Sequence, residues 1–255
     1  MNKTKSSSYI CGRKLVAEAL KSGRPINKIY LQNIVQDAAS FAAIEFMAKE
    51  RGIPVVRVDK AWLDKLTEGP HRGVVALASA KEYSDVGDIL NCASGRGESP
   101  LVVVANEILD PHNLGAVIRN AEAAGAHGVI VPKRNAAGLT DAVAKASAGA
   151  IEYIHIARVA NISATLRDLK KRGLWIIGAD SSGATAYTDC DMSSAVAIVI
   201  GGEHEGLGRL VGETCDQTVS IPMRGKTTSL NASAAAAVML FEALRQRSRK
   251  ERATL

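Results

Sequence analysis

The stretch ILDPHNLGAVIRNAEAAGAHGVIVPK, residues 108–133, decides how the chain is read. An Asp-Pro-His-Asn turn, Asp110 to Asn113, stands ahead of a helix and then an apolar run, GVIVP. On a helical wheel Leu114, Val117, Ile118, Ala121 and Ala124 fall on one stripe, the core face. Arg119 projects roughly opposite. A solvated face ordinarily carries several charges spaced i,i+4, but Arg119 stands among Gly115, Ala116 and Ala123, which are too small to shield it or hold it down. Something large can therefore approach this arginine. The segment alone also fits a surface arginine on an Ala-rich helix, so the rest of the chain must decide.

Outward from this stretch, apolar strands alternate with helices. The strands are LVVVA, GVIVP, LWIIGA, AVAIVIGG and TVSIPM, and the helices NLGAVIRNAEAAG, LTDAVAKASAG, ISATLRDLKKRG and SLNASAAAAVMLFEALRQR. Continuous rather than alternating apolar runs indicate strands buried on both faces of a parallel sheet. Ligands of such sheets bind beyond the carboxyl ends of the strands, which directs attention to the loops at Ala179, Gly201 and Met223. Before residue 80 the elements are shorter: a helix near GRKLVAEALKSG, the strand INKIYLQ, the helix DAASFAAIEFMAKERG, the strand IPVVRVD, the helix KAWLDKLTEG and the strand GVVALASA. The expected organisation is a small α/β domain over residues 1–80, a linker over 81–99 that mixes Gly, Ser and charge and can hold a short turn of helix at DVGDIL, and a parallel-sheet α/β domain over 100–255.

The 255 residues, 47% of them hydrophobic, suffice for two cores. No apolar run approaches the ~18 residues of a membrane span, and the start resembles no secretory signal, so a cytoplasmic protein is expected. Cys11, Cys92, Cys190 and Cys215 are scattered without a CxxC pair, which argues against a disulfide framework or zinc ribbon. Residues 1–80 hold 13 Lys/Arg against 7 Asp/Glu, the whole of the +6 excess, while residues 81–255 carry 19 of each. A basic module joined to a neutral one fits a polyanion-gripping domain attached to a domain with another task.

The loops narrow the chemistry. The first strand leads into NEILDPHN and not GxGxxG, which counts against a Rossmann dehydrogenase. GGEHEGLG, residues 201–208, joins glycines that permit close backbone approach to the acids Glu203 and Glu205 and to His204. Three adjacent residues point in different directions, and His71, His112, His127 and His155 lack ligand spacing, so no metal is expected. SIPMRGKTTSLN, residues 220–231, contains a GKT, but a phosphate-binding P-loop needs glycine where Ser220 stands, and Pro222 and Met223 fill the region that should wrap phosphate. Ser229 taken alone fits an N-cap on the Ala-rich helix that follows, a reading that leaves the polar Asn231 unexplained.

Taken together, DPHNLGAVIRNAEAAG, IGGEHEGLG and IPMRGKTTSLNASAAAA resemble the three ordered motifs of the SpoU/TrmH-type RNA ribose methyltransferases of the SPOUT superfamily. The resemblance covers about residues 100–248. The basic front domain, ending in HRGVVA, is similar to the ribosomal-protein-like substrate-binding domain of the bacterial 23S rRNA guanosine 2′-O-methyltransferases. The resemblance implies a deep trefoil knot in the C-terminal domain and S-adenosylmethionine bound among the three loops at Ala179, Gly201, Ile221, Met223 and Leu230. It further implies a catalytic set of Asn113, Arg119, Glu203, Ser229 and Asn231. Arg119 would face the acceptor ribose, with the gap at Gly115 and Ala116 as room for a ribose-phosphate and Glu203 holding the arginine. A guanosine of 23S rRNA, free or in a pre-50S particle, would be the substrate, and the enzyme would be a homodimer with its C-terminal helix in or near the interface. A tRNA ribose methyltransferase, or a catalytically silent RNA-binding or ribosome-assembly factor, remain the alternatives.

Overall fold

Along INKIYLQ, Ile29 and Leu31 are fully buried while Lys28 and Tyr30 turn to the other side, the alternation of a strand whose two faces meet different surroundings. The structure is a computed structural model that describes residues 7–33, 38–67, 70–79, 81–202 and 206–254. In its N-terminal part β1 (Ser7–Cys11), β2 (Ile26–Gln32), β3 (Val55–Val58) and β4 (Val74–Ser79) form one sheet in the order β1-β4-β2-β3. Only β2 and β3 run parallel. Helices α1 (Arg13–Lys21) and α2 (Ala38–Glu50) cover one face through Val16, Leu20, Phe41 and Ile44. The seven-residue α3 (Lys60–Leu66) covers part of the other through Leu63.

The C-terminal sheet has the order β7-β6-β5-β10-β8-β11-β9, with every pairing parallel. Its strands are β5 (Leu101–Ala105), β6 (Gly128–Pro132), β7 (His155–Val159), β8 (Trp175–Ala179), β9 (Thr185–Ala186), β10 (Val196–Ile200) and β11 (Gln217–Ser220). All residues of β5, β6 and β10 are buried, as the continuous apolar runs require. Leu101, Val103 and Ala105 face one core and Val102 and Val104 the other. The first core is closed by α5 (Pro111–Ala123), α6 (Asp141–Ala146) and α9 (Ala232–Thr254), the second by α4 (Val86–Arg96), α7 (Ile162–Lys171) and α8 (Arg209–Thr214). Three elements of this domain, β7, β9 and α8, and β1 of the first domain were not expected from the sequence.

The expected linker, residues 81–99, is folded. It carries α4, whose Ile89 and Ala93 are buried, and Ser84 bridges in parallel to Ala157. The Asp88 carboxylate accepts from the Asp85 backbone N–H at 2.8 Å, one half of a capping box. Gly97 ends the helix in the left-handed region at φ 67°. A Cβ on Gly128 would lie 2.5 Å from Ile89 Cδ1, so β6 lacks a side chain there because Ile89 occupies the space.

Two further devices fix the arrangement. Arg24 Nη1 meets Glu152 Oε1 at 2.7 Å with both side chains buried, and the Tyr153 hydroxyl donates to Glu18, so α1 and the turn after it are tied to the segment before β7. Removing one partner of such a buried pair costs more than the pair itself contributes, although Lys81 Nζ, 4.0 Å from Glu152 Oε2, shares in holding the glutamate. At the far end of α9, Arg247 donates to the carbonyls of Met192, Ser99, Pro100 and Ser194, which pins the last helix to the starts of β5 and β10.

The seating of Ile89 on Gly128 makes the folded state of residues 81–99 testable. Ile89→Ala is expected to lower unfolding stability by about 2–5 kcal/mol in denaturant titration. A variant as stable as the wild type would mean that α4 is an appendage and the segment a linker after all.

Candidate active site

The carboxyl ends of β8, β10 and β11 open into a cavity of about 450 Å³, a size suited to a small-molecule cofactor. Its walls come from three separate loops. Ala179, Asp180 and Ser181 follow β8; Ile200, Gly201, Gly202 and Gly206 follow β10; Ile221, Met223 and residues 228–232 follow β11. All five residues expected to hold a cofactor, Ala179, Gly201, Ile221, Met223 and Leu230, line this one space, together with Ser229 and Asn231 of the expected catalytic set.

Glycine makes the cavity possible. A Cβ on Gly201 would stand 2.1 Å from the Gly206 carbonyl carbon and oxygen, and one on Gly202 would stand 2.3 Å from the Glu107 carbonyl oxygen. Neither contact can be relieved by a side-chain rotation, because the neighbour is backbone. Gly202 and Gly206 pair across the loop as an antiparallel bridge, and Gly206 takes φ 58°, which favours glycine. The loop is also anchored from β5: Asn106, buried, donates from Nδ2 to the Leu207 carbonyl at 3.2 Å, and its N–H reaches the Ile200 carbonyl at 2.9 Å. Asn106 escaped the sequence reading, although a lone amide directly after LVVVA was its signal. Asp180 escaped it as well. Its N–H bonds the Val219 carbonyl at 2.9 Å, and its carboxylate accepts from the Ser182 N–H and hydroxyl at 2.8 and 2.6 Å.

Backbone, apolar side chains such as Ile200, Val219 and Leu230, and a few neutral polar groups make up most of the lining, and among the described residues no lysine or arginine contributes to it. A polyphosphate needs cations or a run of amides there. An adenosine bearing a sulfonium and an amino acid does not. The residues present fit S-adenosylmethionine, whereas Lys226 of the GKT is exposed and lines none of the cavity.

The catalytic set is only partly assembled. Asn113, in the first turn of α5, accepts at Oδ1 from Asn231 Nδ2 at 3.0 Å, which joins the Asp110–Asn113 turn to the third loop. Asp110 caps α5 by accepting from the His112 N–H at 3.1 Å, with Pro111 in the first turn. Arg119 lies six residues beyond Asn113, about 9 Å along the helix axis. It is exposed, lines no part of its own chain's cavity, and has no hydrogen-bond or ion-pair partner among the described residues. Glu203, expected to hold it, and His204 lie outside the described residues.

Two sequence expectations are corrected here. Gly115 leaves no room for a ribose-phosphate: it is buried, and a Cβ on it would lie 2.4 Å from Ala146 Cβ and 2.8 Å from the Val143 carbonyl oxygen, so its lack of a side chain serves the close packing of α6 on α5. Ala116 and Ala123 are the small residues left beside Arg119, with Glu122 exposed one turn further on. Nor is Ser229 the cap of α9. Asn231 Oδ1 accepts from the Ser233 N–H at 2.9 Å and from its hydroxyl at 2.6 Å, while the Asn231 carbonyl accepts from the Ala235 N–H.

Residues 100–241 match the SpoU rRNA Methylase family, and residues 9–84 match the RNA 2′-O ribose methyltransferase substrate binding family. The chain belongs to the SpoU rRNA methylase family. A Bacillus subtilis (strain 168) relative, the putative TrmH family tRNA/rRNA methyltransferase YacO, is 44% identical to this SpoU-family chain over 94% of it and 96% of the relative. The SpoU methyltransferase AviRb from Streptomyces viridochromogenes, solved with AdoMet, superposes with a TM-score of 0.81 at 26% identity, covering 97% of this chain and 95% of that one. An AdoMet-bound rRNA methyltransferase from Sinorhizobium meliloti superposes at 0.78 and 26% identity, over 94% and 87% of the two chains. The parallel sheet, its strand order and the return of α9 onto α5 are consistent with the knotted SPOUT domain.

Among the described residues no helix is long and apolar enough to cross a membrane, and no group of His, Cys, Asp and Glu is placed to hold a metal ion. The four cysteines are free, and burial raises the thiols of Cys11 and Cys190 and pushes that of Cys215 to about 11.

The capping geometry separates two neighbouring polar residues of the cavity. Asn231→Ala is expected to cost about 1 kcal/mol or somewhat more of stability, the usual loss of a helix cap, whereas Ser229→Ala leaves the melting transition in place. Equal effects of the two in thermal denaturation would contradict the assignment of the cap to Asn231.

Proposed function

We propose that the protein transfers a methyl group from S-adenosylmethionine to a ribose 2′-hydroxyl in structured RNA, with a guanosine of 23S rRNA as the target, and that it does so as a cytoplasmic homodimer. The observation that carries this reading is the cavity built from three motif loops, glycine-lined, apolar-walled and free of cationic side chains among the described residues. Bound there, S-adenosylmethionine would supply an electrophilic methyl on its sulfonium. The chain's own contribution is placement. Ala179, Gly201, Ile221, Met223 and Leu230 hold the cofactor from the three loops, and the Asn113–Asn231 hydrogen bond fixes the edge at which the acceptor enters. Ser229 and Asn231 offer neutral hydrogen-bonding groups to a phosphate or to the cofactor's amino acid part.

Arg119 presents a planar guanidinium that matches a phosphate in two hydrogen bonds and favours the negative charge that grows on the 2′-oxygen as its proton leaves. A guanidinium rarely gives up a proton at neutral pH, so charge stabilisation is its role rather than proton abstraction. Its distance from its own cavity supports action on a second copy. The Ala232–Ala237 run supports this only indirectly: Ala232, Ala236, Met239 and Leu240 are buried within the same chain against α5. Phe241, 47% exposed on α9, and Arg119 and Ala123, exposed on α5, are among the residues these helices leave for a partner. The basic excess before residue 81 supplies salt-sensitive affinity for RNA.

Action across a dimer predicts complementation. Arg119→Ala alone loses methyl transfer by about 10²–10³-fold, the effect of removing one charge-stabilising donor, with S-adenosylmethionine affinity kept. Gly202→Val alone loses it through the cavity. Co-expressed, the two inactive chains are expected to regain activity on rRNA, because a mixed dimer contains one intact cavity facing one intact arginine. Failure to regain any, with mixed dimers demonstrated, would place Arg119 in its own chain's reaction or outside it; methylation of tRNA in place of rRNA would redirect the substrate.

A further inference from the structure

The aromatic residues of the N-terminal domain are arranged in a way that its core does not require. On β2, Lys28 and Tyr30 face away from the α1 and α2 core, and Val56, the register partner of Tyr30 on β3, shares that side and is 37% exposed. The helix over this face, α3, is seven residues long and buries only Leu63. Trp62 is left 40% exposed, its ring centroid 4.6 Å from that of Tyr30 with the planes inclined at 48°. The two rings meet in a tilted contact rather than a parallel stack, which leaves the outer face of Trp62 exposed. Lys28 Nζ lies 6.0 Å from the Tyr30 centroid, and α3 carries the exposed Lys60 and, one turn beyond Trp62, the exposed Lys65, with Asp59 and Asp64 preceding them.

Exposed tryptophan beside tyrosine and valine is an apolar patch that a monomeric soluble domain seldom leaves uncovered. Its surroundings say what covers it. Asp59 and Asp64 are engaged by Asn33 and His71, and the lysines of β2 and α3 favour a polyanion that also brings an apolar face over a second copy of the same surface. A nucleobase on its phosphate backbone has both properties, since every base has a π-face and stacks on aromatic rings while lysines track the phosphates.

We propose that Trp62 and Tyr30, with Lys28, Lys60 and Lys65 around them, form a subsite that stacks an unpaired base of the RNA substrate. The subsite binds a nucleotide other than the one methylated, because it lies in the N-terminal domain and contributes nothing to the cavity at β8, β10 and β11. It therefore selects RNAs that present an unstacked base at a fixed distance from the target ribose, and it rests on the RNA-methylating function proposed above.

Trp62 and Trp175 are the two tryptophans of the chain, so full-length Trp175→Phe makes Trp62 a sole reporter. Its fluorescence is expected to be quenched by an RNA stem-loop with unpaired loop bases and not by a blunt RNA duplex of the same length. In the otherwise wild-type chain, Trp62→Ala should weaken stem-loop affinity about tenfold or more, as loss of one base–aromatic stack does. Trp62→Phe should weaken it only a few fold, and both variants should keep S-adenosylmethionine affinity. Unchanged stem-loop affinity in Trp62→Ala would overturn the proposal, as would a shift in sedimentation without a change in RNA affinity, which would assign the patch to self-association. A wild-type chain that binds S-adenosylmethionine but no RNA would instead remove the methyltransferase reading on which the subsite rests.

Discussion

The site depends on backbone lying against backbone. The loop after β10 must fold back on itself and also press against the turn that follows β5, and there is space for neither if residues 201 and 202 carry side chains. Once Gly201 packs on Gly206 and Gly202 on Glu107, the loop's inner edge is peptide rather than side chain. Peptide groups tied to β10 and to the Asn106 amide are placed by the fold itself, an arrangement that lowers the ordering cost of binding. Much of the rest serves this arrangement. The parallel order of β5, β10, β8 and β11 brings their carboxyl ends to one edge, and α9 is fastened at its start by Asn231 and near its end by Arg247.

That fastening also explains why Arg119 stands away from the cavity of its own chain. Asn113 and Asn231 meet because α5 and α9 pack closely, through Ala121, Ala232 and Ala236 on one side and the Asn120 bond to the Ser233 carbonyl on the other. The same packing directs Arg119 outward. An exposed arginine with small neighbours and no described partner, on a helix beside an exposed phenylalanine, is in keeping with a group that acts where another molecule comes against it.

Much of this was legible in the sequence, for identifiable reasons. Strands buried on both faces leave uninterrupted apolar runs, so β5, β6, β8 and β10 were readable, as was the convergence of three loops at their ends. The strand HIARV was missed because it lies at the edge of the sheet, where Arg158 and the half-buried His155 and Val159 break the run. The full length of helix α4 is hidden in the sequence because Gly and Ser dilute its apolar pattern beyond DVGDIL, although Asp85, Asp88 and Gly97 carry both of its end signals. Gly115 shows the limit of reading a wheel. A residue without a side chain looks the same whether it clears space for a ligand or for Ala146, and only the position of α6 distinguishes the two. Choosing Asn231 over Ser229 as the cap likewise needed the actual start of α9.

Calorimetric titration of S-adenosylmethionine into the wild-type chain, Gly201→Ala and Gly115→Ala tests the account most directly. Both alanines strike a neighbour, but only the first does so where the cofactor is held. The wild type is expected to bind, Gly201→Ala to lose affinity by tenfold or more, and Gly115→Ala to lose stability while the folded chain keeps its affinity. Undiminished binding by Gly201→Ala, or no binding by the wild type, would contradict the account.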